Sequence, residues 1–155
     1  MAWNEVNEVV PGLFVGSKPP PGRHGFDAIV LTAEEYQPPA ELFPGTEVIH
    51  APLDDDPSRS MTEAEIAIAV RTARRVARRV RAGQKVLCSC AMGLNRSALV
   101  AALAVHEVYG MSADEIVGRL RRARGAWELS NPSFERLLRA VIAVSAKRAK
   151  VVGPR

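Results

Sequence analysis

The chain has 155 residues, of which 47% are hydrophobic and 25% are charged, and its net charge is +4. This composition is that of a globular protein of one domain, which excludes collagen, a coiled coil or a disordered chain. No segment approaches the roughly 18 consecutive apolar residues of a membrane span, and the first residues lack a secretion signal. We therefore expect a cytoplasmic protein, with a single domain over residues 1–150 and a basic tail over residues 151–155.

The first third of the chain alternates short apolar runs with segments rich in proline and glycine. Apolar runs of this length predict buried strands, and the prolines predict the loops between them. Pro11 and Gly12 divide the first run into two strands joined by a turn. The predicted strands occupy residues 8–15, 27–32 and 46–51.

A long amphipathic helix is predicted next. Thr62 and Glu65 have the spacing of a capping box, and Ser60 and Glu63 offer an alternative frame. Apolar residues then recur at helical spacing as far as Gly83, while five arginines lie largely off that stripe. RNA-binding helices share this pattern, but an ordinary amphipathic helix with exposed arginines is the preferred interpretation. The arginines are Arg71, Arg74, Arg75, Arg78 and Arg79.

The second half of the chain predicts one further strand, at residues 85–89, followed by three helices. The first helix begins at Arg96 and ends near Gly110, a typical residue after a helix C-terminus. The second begins with a Ser112 capping box and ends near residue 124, and the third begins at Asn131. This order predicts an α/β domain with a mostly parallel central sheet flanked by helices.

The segment between the last strand and the next helix indicates a chemical function. Cys90 ends the strand, Gly93 lies in a tight loop, and Arg96 opens the helix. A loop that leads into a helix N-terminus presents unpaired main-chain N–H groups, which bind a tetrahedral anion. Gly93 allows the backbone angle that makes these groups converge, and Arg96 offers a planar fork for two phosphate oxygens. The same groups favour a thiolate at Cys90, which predicts an activated nucleophile.

Cys90, five intervening residues, Arg96 and Ser97 at a strand-to-helix junction resemble the signature of the cysteine-dependent protein tyrosine phosphatases. The resemblance implies hydrolysis of phosphotyrosine, with phosphoserine and phosphothreonine as further substrates, through a phosphocysteine intermediate. It also implies an α/β fold like that of the small dual-specificity phosphatases. Other segments that resemble this group are residues 10–16, 48–55, 111–115 and 131–134.

The resemblance assigns a role to each residue of the signature. Cys90 is the nucleophile, Arg96 binds the phosphate and stabilises the transferring group, and the Ser97 hydroxyl assists the departure of the thiolate. Together with Arg96, the phosphate is held by the loop residues Ala91, Met92, Gly93, Leu94 and Asn95.

An aspartate about thirty residues before the cysteine is the general acid and base of the family. Three consecutive candidates occur here, and Asp55 aligns best because Pro52 and Leu53 precede it in the family's register. Asp56 ranks second and Asp54 third. Because this acid must be protonated while the cysteine is ionised, we expect a bell-shaped pH profile on the acidic side of neutrality.

Two positions near the nucleophile need comment. The family usually has a histidine before its cysteine, whereas this chain has Ser89, whose hydroxyl we expect to supply part of the same hydrogen bonding. Cys88 precedes the nucleophile by two residues, and we interpret it as a packing residue because a disulfide at this spacing is strained.

The resemblance implies a phosphorylated protein as substrate and no cofactor or metal, and we expect a monomer without nucleic acid or membrane partners. Alternatives remain within the same superfamily. Residues 93–96 also resemble the loop of the RNA 5′-triphosphatases, whereas a phosphoinositide phosphatase is disfavoured because the loop has no lysine. A non-catalytic module that binds phosphate with the same loop is the third alternative.

Overall fold

The computed structural model describes residues 5–152. Its centre is a five-stranded sheet with the strand order β1-β2-β5-β3-β4. Only the β1–β2 pair is antiparallel, so the predicted mostly parallel sheet is confirmed. The strands are β1 (Val6–Val10), β2 (Leu13–Gly16), β3 (Ala28–Ala33), β4 (Glu47–Leu53) and β5 (Val86–Ser89).

All four predicted helices are present. The Thr62 frame starts the first one: the Thr62 hydroxyl accepts from the main-chain N–H of Glu65 at 3.1 Å, and Glu65 Oε1 accepts from the N–H of Thr62 at 2.9 Å. The helices are α1 (Glu63–Arg81), α2 (Arg96–Tyr109), α3 (Ala113–Arg124) and α4 (Pro132–Val152). Thus α4 continues two residues into the segment predicted as a tail, and residues 153–155 lie outside the described part of the chain.

The two faces of the sheet are covered differently. On one face, Val30 and Cys88 belong to a large apolar cluster with residues of all four helices. On the other face, Ile29 and Leu87 pack against Phe43, which follows a single 3-10 turn at Ala40–Leu42. The long helices therefore lie on one side, and a short turn with aromatic side chains closes the other. No helix within residues 5–152 is long and apolar enough to cross a membrane.

The arginine-rich face of α1 is partly occupied by contacts within the domain. Arg75 donates to Glu47 of β4 at 3.2 Å, and Arg79 forms an ion pair with the same carboxylate. These contacts agree with an ordinary amphipathic helix whose arginines lie along the domain surface.

The sheet topology determines where the functional residues meet. Strands β3, β4 and β5 are parallel, so their carboxyl ends lie at the same edge of the sheet. Glu35 lies just after β3, Asp55 just after β4 and Cys90 directly after β5. This edge is the usual place for a binding site in a sheet of this type.

Candidate active site

Cys90 lies at the start of the loop formed by residues 90–96, below called the 90–96 loop. Its main-chain N–H donates to the carbonyl of Gly16 at 3.3 Å, which continues the pairing of β5 with β2. The residue is 4% exposed. Its Sγ lies 3.1 Å from Oγ of Ser97, a buried residue in the first turn of α2. The two side chains that the sequence paired are therefore in direct contact.

The main chain of the 90–96 loop leaves several donors available. Among the described residues, no main-chain carbonyl accepts from the N–H groups of residues 91–95, and Asn95 makes no side-chain cap on α2. Gly93 has the predicted left-handed conformation, with φ of +69°, and a Cβ there would lie 2.8 Å from the carbonyl oxygen of Gly16. Free N–H groups at a helix N-terminus attract an anion.

Arg96 is held by a carboxylate that the sequence did not single out. Its Nη1 and Nη2 each donate to one oxygen of Glu35, both at 2.6 Å, and Nη1 also donates to the carbonyl of Leu53 at 3.1 Å. The Arg96 side chain is 8% exposed. Its Nε is buried and has no hydrogen-bond partner among the described residues. A donor of this fork thus remains for an oxyanion.

The charges at this site shift each other's ionisation. The hydrogen bonds from Arg96 lower the pKa of Glu35 to about 2, although partial burial opposes them. Burial alone would lower the pKa of Arg96, but the contact with Glu35 and the negative charges of Cys90 and Asp55 outweigh it and raise that pKa. Arg96 is therefore permanently charged and lies close to three acidic groups.

The structure separates the three consecutive aspartates. The carboxylate of Asp54 pairs with Arg59 at 2.9 Å. Asp56 accepts from the hydroxyl of Ser58 at 2.6 Å, a contact that lowers its pKa. Asp55 alone among the three contacts the 90–96 loop, as described next.

Two asparagines tie Asp55 to the loop and to the start of α4. The Asn95 amide donates to Oδ2 of Asp55 at 3.2 Å, and the Asn131 amide donates to Oδ1 at 2.7 Å. The main-chain N–H of Asn131 donates to Oδ1 of Asn95 at 2.8 Å, which closes the network. Asp55 is therefore the aspartate that the fold orients at the site.

Of the two residues before Cys90, Cys88 has the expected packing role, whereas Ser89 has a different hydrogen-bond partner from the one expected. Cys88 is fully buried in β5, and burial raises the pKa of its thiol, which agrees with a packing role. The hydroxyl of Ser89, expected to act beside the nucleophile, donates instead to the carbonyl of Val30 at 2.8 Å. Ser89 thus joins β5 to β3, because its side chain lies on the opposite face of the strand from its two neighbours.

A third group of residues holds the 90–96 loop from behind. Arg124 Nε donates to the carbonyl of Gly93 at 3.1 Å and to Oε1 of Glu128 at 3.2 Å. The main-chain N–H of Leu129, a residue with φ of +56°, donates to the carbonyl of Leu94 at 2.7 Å. Gly93, Leu94 and Asn95 are therefore each held by a residue between the end of α3 and the start of α4.

Sequence reasoning missed Glu35, Arg124 and Glu128. A usable signal existed for Glu35, because polar residues after parallel strands gather at one edge of the sheet and Glu35 follows β3. Arg124 and Glu128 lie about thirty residues after the loop, and no local pattern indicates that α3 ends against it.

The three histidines lie in structural contacts. A ring nitrogen of His24 lies 2.6 Å from the carbonyl of Pro20, one of His50 lies 2.9 Å from that of Pro38, and one of His106 lies 3.1 Å from that of Met111. Within residues 5–152, no three histidine, cysteine, aspartate or glutamate side chains form a group that could hold a metal ion.

Comparison with protein-family models and with curated proteins found no match. Solved structures do match. Tk-PTP in its active form is 23% identical with a TM-score of 0.75, covering 92% of this chain and 99% of that one. Human DUSP28 is 23% identical with a TM-score of 0.72, covering 96% and 98%. A human tyrosine phosphatase-like serine/threonine/tyrosine-interacting protein is 20% identical with a TM-score of 0.73, covering 91% and 97%.

These similarities extend over nearly the whole chain, but at such low identity they establish the fold and leave the activity to be argued from the site. The sequence resemblance and the structural similarity point to the same group of proteins. The chain has the single-domain fold of the small dual-specificity phosphatases of the protein tyrosine phosphatase superfamily.

Proposed function

We propose that this protein is a cysteine-dependent phosphatase that hydrolyses phosphotyrosine in proteins, and also phosphoserine and phosphothreonine. The observation that carries the proposal is the convergence of three groups around the 90–96 loop. Cys90 lies beside Ser97, Arg96 keeps a buried donor free, and Asp55 is tied to the loop through Asn95. The proposal assigns these groups as nucleophile, anion receptor and acid. They come from the ends of β4 and β5 and from the first turn of α2.

In the first proposed step, the phosphate oxygens bind to the free N–H groups of the loop and to Arg96. The thiolate of Cys90 attacks phosphorus and forms the S–P bond. The bond from phosphorus to the leaving oxygen breaks, and protonated Asp55 transfers its proton to that oxygen. The amides of Asn95 and Asn131 hold the carboxyl group in one orientation for this transfer.

In the second proposed step, water hydrolyses the phosphocysteine. Asp55, now ionised, takes a proton from the water molecule whose oxygen attacks phosphorus. The S–P bond breaks and the sulfur leaves as a thiolate. The Ser97 hydroxyl, 3.1 Å from Sγ, donates a hydrogen bond to that developing charge and so lowers the barrier to its departure.

The side chains at the rim of the 90–96 loop favour a phosphorylated protein as the substrate. Met92 is 69% exposed and Leu94 is partly buried, so the loop offers apolar contacts and no lysine next to the phosphate position. Apolar contacts suit the ring of phosphotyrosine, whereas a highly charged inositol headgroup is better served by cations. On α1, Arg75 and Arg79 already pair with Glu47, which weakens the case for RNA.

Hydrolysis of para-nitrophenyl phosphate tests the proposal. We expect turnover by the wild type, none by Cys90→Ser and near-complete loss in Arg96→Ala. Cys88→Ala is the matched control, because Cys88 is a cysteine two residues earlier, in β5, buried in the apolar cluster; it retains activity. Wild-type protein that binds phosphate without any turnover would refute the enzyme and leave a phosphate-binding module.

The substrate class needs its own measurement. We expect kcat/KM for phosphotyrosine peptides to exceed that for phosphoserine and phosphothreonine peptides, and Cys90→Ser to capture phosphorylated proteins. A triphosphate-ended RNA serves as the competing substrate. Faster, strongly salt-dependent hydrolysis of that RNA would overturn the protein-phosphatase assignment while keeping the chemistry at Cys90.

A further inference from the structure

A buried carboxyl group lies behind the 90–96 loop and takes no part in the proposed steps. Glu128 is 0% exposed, and its Oε1 accepts from Nε of Arg124 at 3.2 Å. Its second oxygen, Oε2, is buried and has no hydrogen-bond partner among the described residues. An ionised carboxylate in such a place is costly, so its presence needs a physical explanation.

The partner of Glu128 is anchored independently of it. Arg124 also donates to the carbonyl of Gly93 at 3.1 Å, to that of Val15 at 2.8 Å and to Oδ1 of Asn7 at 2.9 Å. Its side chain is 9% exposed. Three uncharged acceptors therefore keep the guanidinium in place whatever the state of Glu128. A change in the ionisation of Glu128 alters the charge behind the loop and leaves the geometry of the loop largely unaltered.

We propose that Glu128 sets the affinity of the 90–96 loop for phosphate by compensating, or leaving uncompensated, the positive charge of Arg124. The inference rests on the phosphate-binding role proposed above for this loop. With Glu128 ionised, the pair is neutral. With Glu128 protonated, a full positive charge that water screens poorly lies against the carbonyl of Gly93, and an anion on the same loop is bound more tightly. Glu128 touches no substrate atom and acts as a positioning residue through Arg124.

Glu128 changes its ionisation near neutral pH, so the proposed change in phosphate affinity occurs there as well. Burial raises the pKa of Glu128 to about 7, although Arg124 opposes the rise. Arg121, also on α3, donates its Nε to the main-chain carbonyl of Glu128 at 3.2 Å. Both arginines stay charged throughout. On the other side of Arg124, Glu5 lines the same pocket as Ala91 and Met92 of the loop. The loop itself carries the thiol of Cys90 and the charge of Arg96, and the test removes the thiol.

Calorimetric titration of sulfate into Cys90→Ser protein tests the proposal, because the charge of sulfate is constant between about pH 6 and about pH 8. We expect the affinity to fall on the order of three- to tenfold over this range. Glu128→Gln in the same background, a mimic of the protonated form, binds sulfate independently of pH at the low-pH affinity. Glu107→Gln is the matched control: it removes an exposed glutamate in the last turn of α2, remote from the loop, and keeps the pH dependence.

Two results overturn the proposal in distinguishable ways. If sulfate binds with the same pH dependence to Cys90→Ser protein with and without Glu128→Gln, the role of Glu128 is refuted and the proposed function stands. If Cys90→Ser binds no sulfate at all, the phosphate site itself is refuted, and the role of Glu128 with it.

A second measurement needs no change at Glu128. In Cys90→Ser protein with ¹³C-labelled glutamate, the carboxyl resonance of Glu128 is titrated with and without saturating sulfate. Binding and ionisation are reciprocally linked, so sulfate must raise the titration midpoint, by about half to one pH unit for the affinity change expected above. An unchanged midpoint overturns the proposal.

Discussion

The guanidinium of Arg96 and the carboxylate of Glu35 form a two-pronged ion pair, with both N–O distances at 2.6 Å. Arg96 is almost wholly buried, while about half of the Glu35 side chain is exposed, at 51%. The pair spans two parallel strand ends, since Glu35 follows β3 and Arg96 follows the loop after β5. The pair does not use Nε of Arg96, which is buried and has no hydrogen-bond partner among the described residues.

Removal of the Glu35 carboxylate is expected to lower activity. Glu35→Ala leaves a buried guanidinium without its orienting partner, so we expect kcat/KM to fall about tenfold or more, with a smaller fall in Glu35→Gln. Glu34→Gln, a change in the exposed neighbouring residue, serves as the control and retains activity. A rise in kcat/KM in Glu35→Ala would show that the pair withholds Arg96 from the substrate.

The three aspartates after β4 are expected to differ sharply. Asp55→Asn removes the proposed proton donor, which Asn95 and Asn131 hold, so we expect kcat for phenyl phosphate to fall on the order of 10²–10⁴-fold. The loss is much smaller for para-nitrophenyl phosphate, whose leaving group departs without a proton. Asp54→Asn and Asp56→Asn keep most of the rate, because their carboxylates pair with Arg59 and Ser58. Full retention of rate in Asp55→Asn with the poor leaving group contradicts the assignment.

Gly93 and Gly110 have nearly equal φ angles but different surroundings. Comparing alanine substitutions at the two positions therefore distinguishes the cost of backbone strain from the cost of a steric clash. Gly93 has φ of +69° and Gly110 has φ of +66°, but an added Cβ meets Gly16 within 2.8 Å at the first and nothing within 4 Å at the second. We expect Gly110→Ala to lower the free energy of unfolding by about 1 kcal/mol. Gly93→Ala is expected to cost more and to weaken phosphate binding. Urea unfolding of both variants checks this, and equal losses would show that the contact with Gly16 is relieved without cost.

The stability of the protein is expected to depend on pH through Glu128. Its folded-state pKa of about 7 lies above the ordinary value of 4.5, so the folded protein binds the proton more tightly than the unfolded chain. This contribution is complete below pH 4.5 and is lost as the pH rises through 7. Glu128→Gln has no carboxyl group to ionise at this position. Relative to that of the wild type, its free energy of unfolding therefore increases as the pH rises through 7.

The contribution of Glu35 to stability depends on pH in the opposite direction. Its pKa of about 2 lies below 4.5, so its contribution is present above pH 4.5 and is lost as the pH falls towards 2. Urea denaturation at several pH values measures both dependences. A constant difference between wild type and Glu128→Gln from pH 4.5 to above 7 would contradict the predicted ionisation of Glu128.

The amino-acid sequence by itself determined the elements and the chemistry that is local in the chain. Capping residues, turn glycines and apolar periodicity are short-range signals, which is why the strands and helices occur near their predicted places. Cys90, Gly93, Arg96 and Ser97 lie within eight consecutive residues, so one loop and one helix turn suffice to relate them. The hydrogen-bond partner expected for Ser89 was wrong, because its acceptor, the carbonyl of Val30, belongs to β3, which lies far from it in the chain.

Only the tertiary structure decided which distant groups complete the site. The sequence ranked the three aspartates, but the contacts of Asp55 with Asn95 and Asn131 join positions forty and seventy-six residues apart. Glu35 reaches Arg96 across sixty-one residues, and Arg124 reaches Val15 across one hundred and nine. Contacts of this kind depend on strand order and on how the helices pack against the sheet, and no local pattern of residue types encodes them.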